Sequence, residues 1–423
     1  MAHYITPIDA SAIMNSLAKQ TLGKDALTTI DFSDFVSVGE AVSSVGKENV
    51  INSLLREFTR TLNASRPYKR KLMMIENVST NGYSERLLKN SFYSKDAKEV
   101  FWVNTDLNTD IRTGNSLEMG EIDLPVVAQF HFGGQHPYDF TMTFPEEQLK
   151  SAFEGESQFA DFWNKYFVEF QNQIETYREN ENRTAVLNQI AGRIDLQAIL
   201  TTKTLARNLT SEFNSFYGTS YTSAQLLSTY YKEFLAFFIA TLKKDQNRLT
   251  ERNCNHAFTP TKNVTETVNG VATTVSYTTI YRHTPIEDQR LILNDELVKD
   301  AESLVLPEIF HDELLRVKNY EGVGYWQSNR DGERLGIKIT KPAIPDTTKD
   351  ADTMVQIDGA DVDVEYVLGM LFDKDACMTQ TEVTAVDVSP LDPKHRLRTS
   401  YSHYMFNAIN DFTEQGIVYY MAD

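Results

Sequence analysis

Residues able to do chemistry are present in this chain, but their spacings do not close into a reaction centre. Gly322-Val323-Gly324 begins as a dinucleotide loop does, with glycines that let backbone approach a pyrophosphate, yet Gln327 stands where the third glycine belongs. Gly23-Lys24 and Gly46-Lys47 lack the earlier glycine that a phosphate-cradling loop requires. Ser116 follows Gly114, but Glu118 occupies the position that a nucleophile elbow reserves for glycine. His131 and His136 flank a glycine turn and could share a metal ion. Only Asp139 lies near them in sequence, too little to complete a ligand set, so one histidine reads as a polar strand-face residue and the other as a turn residue. The acidic string Asp358, Asp361, Asp363 and Glu365, with Asp373 and Asp375 beyond it, offers the oxygen ligands that Ca²⁺ or Mg²⁺ takes, but not the spacing of an EF-hand loop. It reads instead as a solvated strand edge whose charges discourage pairing with other edges. No catalytic, cofactor-binding or metal-ligating residue is assigned, no cofactor is expected, and the chain reads as a non-enzyme.

The elements are more informative than the motifs. In residues 123–194, Tyr138, Phe140, Met142 and Phe144 occupy alternate positions while Asp139, Thr141 and Thr143 face the other way, which predicts a strand with one apolar face. Val127 to Phe132 reads as its hairpin partner, joined to it through Gly133-Gly134-Gln135-His136-Pro137. Pro145 suits the first turn of a short helix that Gly155 ends, and Glu146 and Glu147 sit where the helix dipole favours carboxylates. Ser157 then reads as the N-cap of a much longer helix. Its stripe of Phe159, Phe162, Trp163, Tyr166, Phe167, Phe170, Ile174 and Tyr177 keeps to one helical face, and from Ser157 to Ala191 there is no Gly or Pro. Such a rod would be roughly 50 Å long, with the polar run Glu179 to Arg183 as the one place where it could be interrupted.

The chain has 423 residues, 41% of them hydrophobic, enough for substantial cores. Met1 to Ala18 lacks a basic start followed by a continuous apolar stretch, so no signal peptide is expected, and the mainly apolar run Phe234 to Leu242 is too short to span a bilayer. Cys254 and Cys377 are the only cysteines, which argues against a disulfide framework or a cysteine-built zinc site. A net charge of −18, spread along the chain, makes a tight grip on nucleic acid unexpected, because neutralising phosphates needs clustered Lys and Arg. The 24 Phe, 20 Tyr and 3 Trp are explained by core packing and subunit contacts better than by base stacking.

Along the rest of the chain, residues 1–65 carry two short amphipathic patterns and read as an arm. Lys71–Val78 and Glu99–Val103 read as strands, and Thr105–Gly120 as a loop. Thr222 to Asn247 is helical in pattern, and Val264–Val268 and Val271–Tyr277 form a hairpin about Asn269-Gly270, both of which accept positive φ. Leu291–Leu304 and Glu308–Val317 mix strand and helix, and 330–350 is loop-like. Val362–Phe372, Val383–Val388 and Gly416–Met421 read as strands, with Tyr401–Phe412 as helix or irregular structure. The mixture is α+β.

The order of several segments resembles the major capsid proteins of phi-29-like small tailed phages of the podovirus group. Leu124-Pro125, Phe130-His131, the alternating strand and Leu149-Lys150-Ser151-Ala152-Phe153 are similar to the passage where that family's extended loop hands over to its spine helix. Val367-Leu368-Gly369-Met370-Leu371-Phe372-Asp373-Lys374-Asp375-Ala376 resembles its strand with a Phe-Asp-Lys-Asp-Ala-type turn. Asn410-Asp411-Phe412-Thr413-Glu414, followed by Gly416-Ile417-Val418-Tyr419-Tyr420, resembles its last stretch.

The resemblance implies a Hong-Kong-97-type capsid fold: an N-terminal arm at 1–65, an extended β-loop at 66–145, a spine helix of the peripheral domain at 146–199, a mainly axial domain at 200–360, and peripheral-domain strands with the C-terminus at 361–423. It implies a major capsid (head) protein that self-assembles through pentameric and hexameric capsomers into an icosahedral or prolate shell around double-stranded DNA. The partners implied are a separate scaffolding protein and a portal protein, with packaged DNA touched only weakly and non-specifically and no membrane involved. The location implied is the virion capsid, after assembly in the host bacterial cytoplasm. An encapsulin-like nanocompartment and a soluble metal-dependent hydrolase are the two alternatives.

Overall fold

The computed structural model describes residues 68–76, 87–93, 126–132, 136–145, 156–201, 203–252, 261–268, 271–276, 282–304, 320–327, 335–346, 356–390, 392, 394 and 397–423. In chain order, after a 3₁₀ turn at Met73–Ile75, its elements are β1 (Leu87–Tyr93), β2 (Val126–Phe132), β3 (His136–Pro145), α1 (Glu156–Ile199), β4 (Ala206–Asn208), α2 (Leu209–Tyr217), α3 (Ser223–Leu226) and α4 (Tyr231–Leu249). They continue with β5 (Thr261–Val268), β6 (Val271–Ser276), β7 (Gln289–Asn294), α5 (Asp295–Leu304), β8 (Tyr320–Val323), β9 (Ile337–Ile339), β10 (Ala343–Pro345), β11 (Gln356–Asp358), β12 (Val362–Val364), β13 (Tyr366–Asp373), β14 (Cys377–Val388), β15 (Leu397–Asn410) and β16 (Gly416–Met421). Among the described residues no helix is long and apolar enough to cross a membrane. The expectations placed on the N-terminal arm, on Glu99–Val103 and on Glu308–Val317 fall outside the described residues.

The chain divides into two compact units. The first takes residues 1–84, 134–186 and 377–409, and the second takes 85–133, 187–376 and 410–423. In the first unit β14, β15 and β3 make a three-stranded sheet in that order. β3 runs antiparallel to β15, from His136 opposite Phe406 to Pro145 opposite Leu397. Met142, Phe170, Val186, Phe406 and Ile409 are buried here, with Leu72 and Ile75 from the 3₁₀ segment.

The second unit is built on a five-stranded sheet in the order β4-β16-β13-β7-β8. β13 is central, antiparallel to both neighbours, and its buried run through Val367, Leu368, Met370, Leu371 and Phe372 is what a strand covered on both faces needs. Gly369 has no substitute there, because a Cβ would come within 2.5 Å of the Ile292 carbonyl oxygen and meet the Leu293 side chain. The core against this sheet comes from Leu209 and Phe213 of α2, Phe234, Leu235, Phe238 and Leu242 of α4, and Leu297 and Ala301 of α5. The helices end as their sequences prescribe. The Asn208 side chain caps α2 by accepting from Thr210 N–H, Gly218 closes it at φ 67°, and Thr222 and Gln225 form a capping box on α3.

Several expectations need correcting. Val127–Phe132 and the alternating strand do not pair as a hairpin. β2 lies antiparallel to β1, from Phe132 opposite Leu87 to Val126 opposite Tyr93, whereas β3 joins the C-terminal β15. The stretch 66–145 is therefore not one continuous β-arm. Tyr401–Phe412 is mostly strand, because Ser400 and Ser402 are small enough to be buried in the sheet although they break the apolar alternation. Lys71–Val78 contains a 3₁₀ turn, since Leu72 takes a left-handed φ of 62°. The region 330–350 holds the short strands β9 and β10, and Val362–Phe372 is divided into β12 and β13 at Glu365.

Candidate functional site

Among the described residues a dense constellation of charged side chains joins α1, at the polar run that could have interrupted it, to the 68–76 segment. The helix continues for 44 residues because these groups find partners across the first unit. Arg70, buried to 2% exposure, donates from Nε to Glu76 Oε1 at 2.6 Å, from Nη1 to Glu175 Oε2 at 2.5 Å, and from Nη2 to Glu76 Oε2. Arg178 Nη2 reaches Glu76 Oε2 at 3.2 Å, and Asn182 Nδ2 donates to Glu76 Oε1 at 2.8 Å and to the Leu72 carbonyl at 3.2 Å. Asn182 Oδ1 accepts from Thr379 Oγ1 at 2.7 Å, next to the point where Glu76 bridges Thr379 in parallel. Glu179 accepts from Lys71 N–H at 3.0 Å, from Tyr68 Oη at 2.9 Å and from Arg183 Nη2 at 2.7 Å.

Burial alone would raise the Glu76 carboxyl, but the Arg70 hydrogen bonds and the Arg178 charge outweigh it and hold the group below the usual carboxylate range. Glu179 is held down in the same way, by Arg183 first and then by Lys71 N–H and Tyr68, against the upward push of burial. These carboxylates are saturated with donors. The arrangement fastens residues 68–76 to the helix and places no nucleophile beside a base. Among the described residues no group of three or more His, Cys, Asp or Glu is arranged to hold a metal ion.

Beside the clamp is an aromatic face. Tyr138 stacks on Tyr404 at 5.4 Å and 8°, and Phe140 meets Phe170 and Tyr177 edge-on at 6.3 and 5.5 Å. In the second unit Arg207 binds Asp245 through Nε and Nη2 at 2.7 and 2.9 Å and Glu212 through Nη1 at 2.9 Å. The Tyr419 hydroxyl donates to Asp245 at 3.1 Å. Burial, then the neighbouring Asp245 charge, pushes Tyr419 well above the ordinary phenol value. Arg193, buried in α1, donates to the carbonyls of Gly416 at 2.9 Å and Glu414 at 3.1 Å. On the surface, Phe216 and Tyr217 at the end of α2 are 68% and 52% exposed.

The sequence-flagged residues are dispersed. His131 lies in β2 opposite Leu88 and His136 in β3 opposite Phe406, in different sheets. Asp139 instead meets His403 Nδ1 at 2.5 Å, a partner from β15 that nothing nearby in sequence announces. In the acidic string, Asp361 accepts from Lys341 N–H at 3.2 Å and Asp363 pairs with Lys338 at 3.1 Å. Asp373 is buried and accepts from Thr284 Oγ1 at 2.7 Å and from Asp375 N–H at 2.9 Å. Gly322 is a residue of β8, so the dinucleotide-like glycines belong to a strand and its end. Gly23, Gly46, Ser116 and Cys254 lie outside the described residues. Sequence reasoning missed Arg70, Glu175 and Arg207, whose partners are far away along the chain.

This arrangement defines an α+β protein whose charged groups fasten elements together. No protein-family model matches the chain, and no curated protein matches it. Solved structures to which it is similar are phage capsid and head structures. The capsid structure of Staphylococcus phage Andhra gives 10% identity over 83% of this chain and 84% of that one, with a TM-score of 0.46. A chain in the structure of the head fiber and inner core protein of native bacteriophage P68 gives 10% identity over 82% and 83%, with a TM-score of 0.44. The capsid structure of the cyanophage P-SCSP1u gives 11% identity over 84% and 90%, with a TM-score of 0.40.

Proposed function

We propose that the chain is a bacteriophage major capsid (head) protein, a non-enzymatic subunit that self-assembles into an icosahedral or prolate shell around double-stranded DNA. The observation that carries this reading is the β1–β2 ribbon. It is a seven-pair antiparallel ladder to which no third strand is added among the described residues. A two-stranded ribbon is marginal in water by itself. Its sequence is rich in apolar residues, among them Leu87, Leu88, Phe92, Tyr93, Val126, Val127, Phe130 and Phe132, the composition expected of a surface shared between copies of one chain. In a shell, copies of the same chain pack against such a ribbon. The 44-residue α1, about 66 Å long at the usual rise, suits the spine of such a subunit. The segment order that resembles the podovirus capsid family supports the same reading.

In this reading the β1–β2 ribbon, from within 85–133, reaches over a neighbouring subunit. Residues 146–199 are the spine, 200–360 are mainly axial and 361–423 complete the peripheral domain. Capsomers are pentamers and hexamers, a separate scaffolding protein and a portal protein act in assembly, and the finished shell is part of the virion. The net charge of −18 keeps packaged DNA from adhering, with contacts that are weak and non-specific. Negative-stain microscopy of the purified chain, alone and with the products of neighbouring genes, tests the proposal. Curved lattices or closed shells are expected, and a compact monomer at every concentration refutes it.

A further inference from the structure

Three polar atoms at one junction of the first unit are sealed from solvent without a hydrogen-bond partner: Tyr138 Oη on β3, and Arg178 Nε and Glu181 Oε2 on α1. The surroundings are aromatic. Tyr138 tilts onto Tyr177 at 4.6 Å and stacks on Tyr404, while Phe140 stands edge-on to Tyr177 and Tyr404 at 5.5 and 5.4 Å. Among the described residues, the titratable and charged groups facing this junction are Glu175, Tyr177 and Arg178 on α1, Tyr138 on β3 and Tyr404 on β15. Arg178 is the only cation among them, and its Nη2 is committed to Glu76. A carboxylate here has an oxygen that no donor meets, whereas a neutral carboxyl can rest against the rings.

We propose that Glu181, set against Tyr138, is a proton-operated catch between α1 and the β14-β15-β3 sheet, engaged when the carboxyl is protonated and loosened when it ionises. Burial drives the carboxyl up to about 7, and Arg178 and the Tyr177 hydroxyl only partly restrain it. Burial, and then the Glu181 charge, raises the Tyr138 phenol too, so the tyrosine keeps its proton while the glutamate loses one. The catch is a property of the single subunit and does not depend on the shell reading.

The test is hydrogen exchange of the full chain read by mass spectrometry from pH 5.5 to 8.5, corrected for the intrinsic rate, alongside the infrared band of protonated carboxyl. Peptides covering 136–145, 170–186 and 397–409 are expected to lose about tenfold protection as pH rises through the range, while those from β7 and β13 hold theirs. E181Q is expected to stay flat at the acid level of the wild type. A wild type without the loss, or an E181Q profile with the same loss, overturns the proposal. If E181Q does not fold, the wild-type infrared band decides alone: a carboxyl titrating near neutrality that E181D displaces supports the catch, and titration of every carboxyl in the ordinary acidic range overturns it.

Discussion

Replacing Arg70 by Met removes the cation on which two buried carboxylates converge. Arg70 is 2% exposed, and the side chains of Glu76 and Glu175 are each 10% exposed, so solvent cannot substitute for the guanidinium. Glu76 retains Arg178 at 3.2 Å and Asn182 at 2.8 Å, but Glu175 loses the guanidinium to which it is bonded at 2.5 Å. Leaving one partner of a buried pair behind costs about 3 to 5 kcal/mol, and the donors left to Glu76 place the expected loss near about 3 kcal/mol. R70M/E175M, which removes both the cation and the orphaned anion, should recover about 2 kcal/mol of that. Native-state hydrogen exchange of residues 170–186 at neutral pH reads the local opening free energy directly. A loss below about 1 kcal/mol in R70M, or a double variant no better than the single one, would refute the clamp as a source of stability.

Two further outcomes follow from packing and exposure. G369A should destabilise the second unit by about 3 kcal/mol, because the new methyl meets the Ile292 carbonyl oxygen at 2.5 Å in the middle of a sheet paired on both sides; an unchanged urea midpoint would contradict this. F216S/Y217S should cost about 1 kcal/mol, since both rings are largely exposed but touch Phe213 and Phe237, and, if the proposed shell reading holds, should slow the appearance of large particles in sedimentation; an unchanged particle rate would remove this patch from the proposed subunit contacts.

What could be read from the chain was local. The long helix was legible because its aromatic stripe keeps a helical period without a Gly or Pro until Gly192, and there the ring of Phe412 fills the space a Cβ would need, within 2.5 Å. The strand 416–421 was legible because Ile417, Val418 and Tyr419 are buried on a central ladder. Partner choice was not legible. Alternation places Val127–Phe132 and Tyr138–Phe144 in strands, but it carries no record of which strand each one meets, and both partners are distant in sequence. The clamp was hidden for the same reason. Glu175, Glu179 and Asn182 look like a solvated stretch of helix until Arg70 meets Glu175, Tyr68 and Lys71 meet Glu179, and Glu76 meets Asn182, each more than a hundred positions away. His403 and Asp139 illustrate it on a sheet surface, joined across 264 positions.

Carboxylates on α1 and on the 68–76 segment packed against it give the first unit opposing responses to pH. Glu76 and Glu179 have folded-state values below the ordinary 4.5, so the unfolded chain binds more protons than the folded one as pH falls past that value. Their stabilisation is complete above it and is lost as the folded groups protonate in acid. Glu181 has the reverse sign. Its folded value of about 7 lies above 4.5, so the folded chain holds the extra proton between these limits, and stability falls as pH rises through that window and levels off beyond about 7. The full shift would correspond to about 3 kcal/mol, but a half-buried group is screened by solvent, and a realistic loss is about 1 to 2 kcal/mol. The first unit should therefore be most stable in mild acid, with an acid limb set by Glu76 and Glu179 and a neutral limb set by Glu181. Local exchange free energies measured against pH separate the two limbs: R70M should make the acid limb shallower by part of the Glu76 share while leaving the Glu179 share, which Arg183, Lys71 and Tyr68 hold, and E181Q should flatten the neutral limb alone. If one substitution flattened both, the clamp and the buried glutamate would be a single coupled network, and the assignment of opposite signs to separate groups would fail.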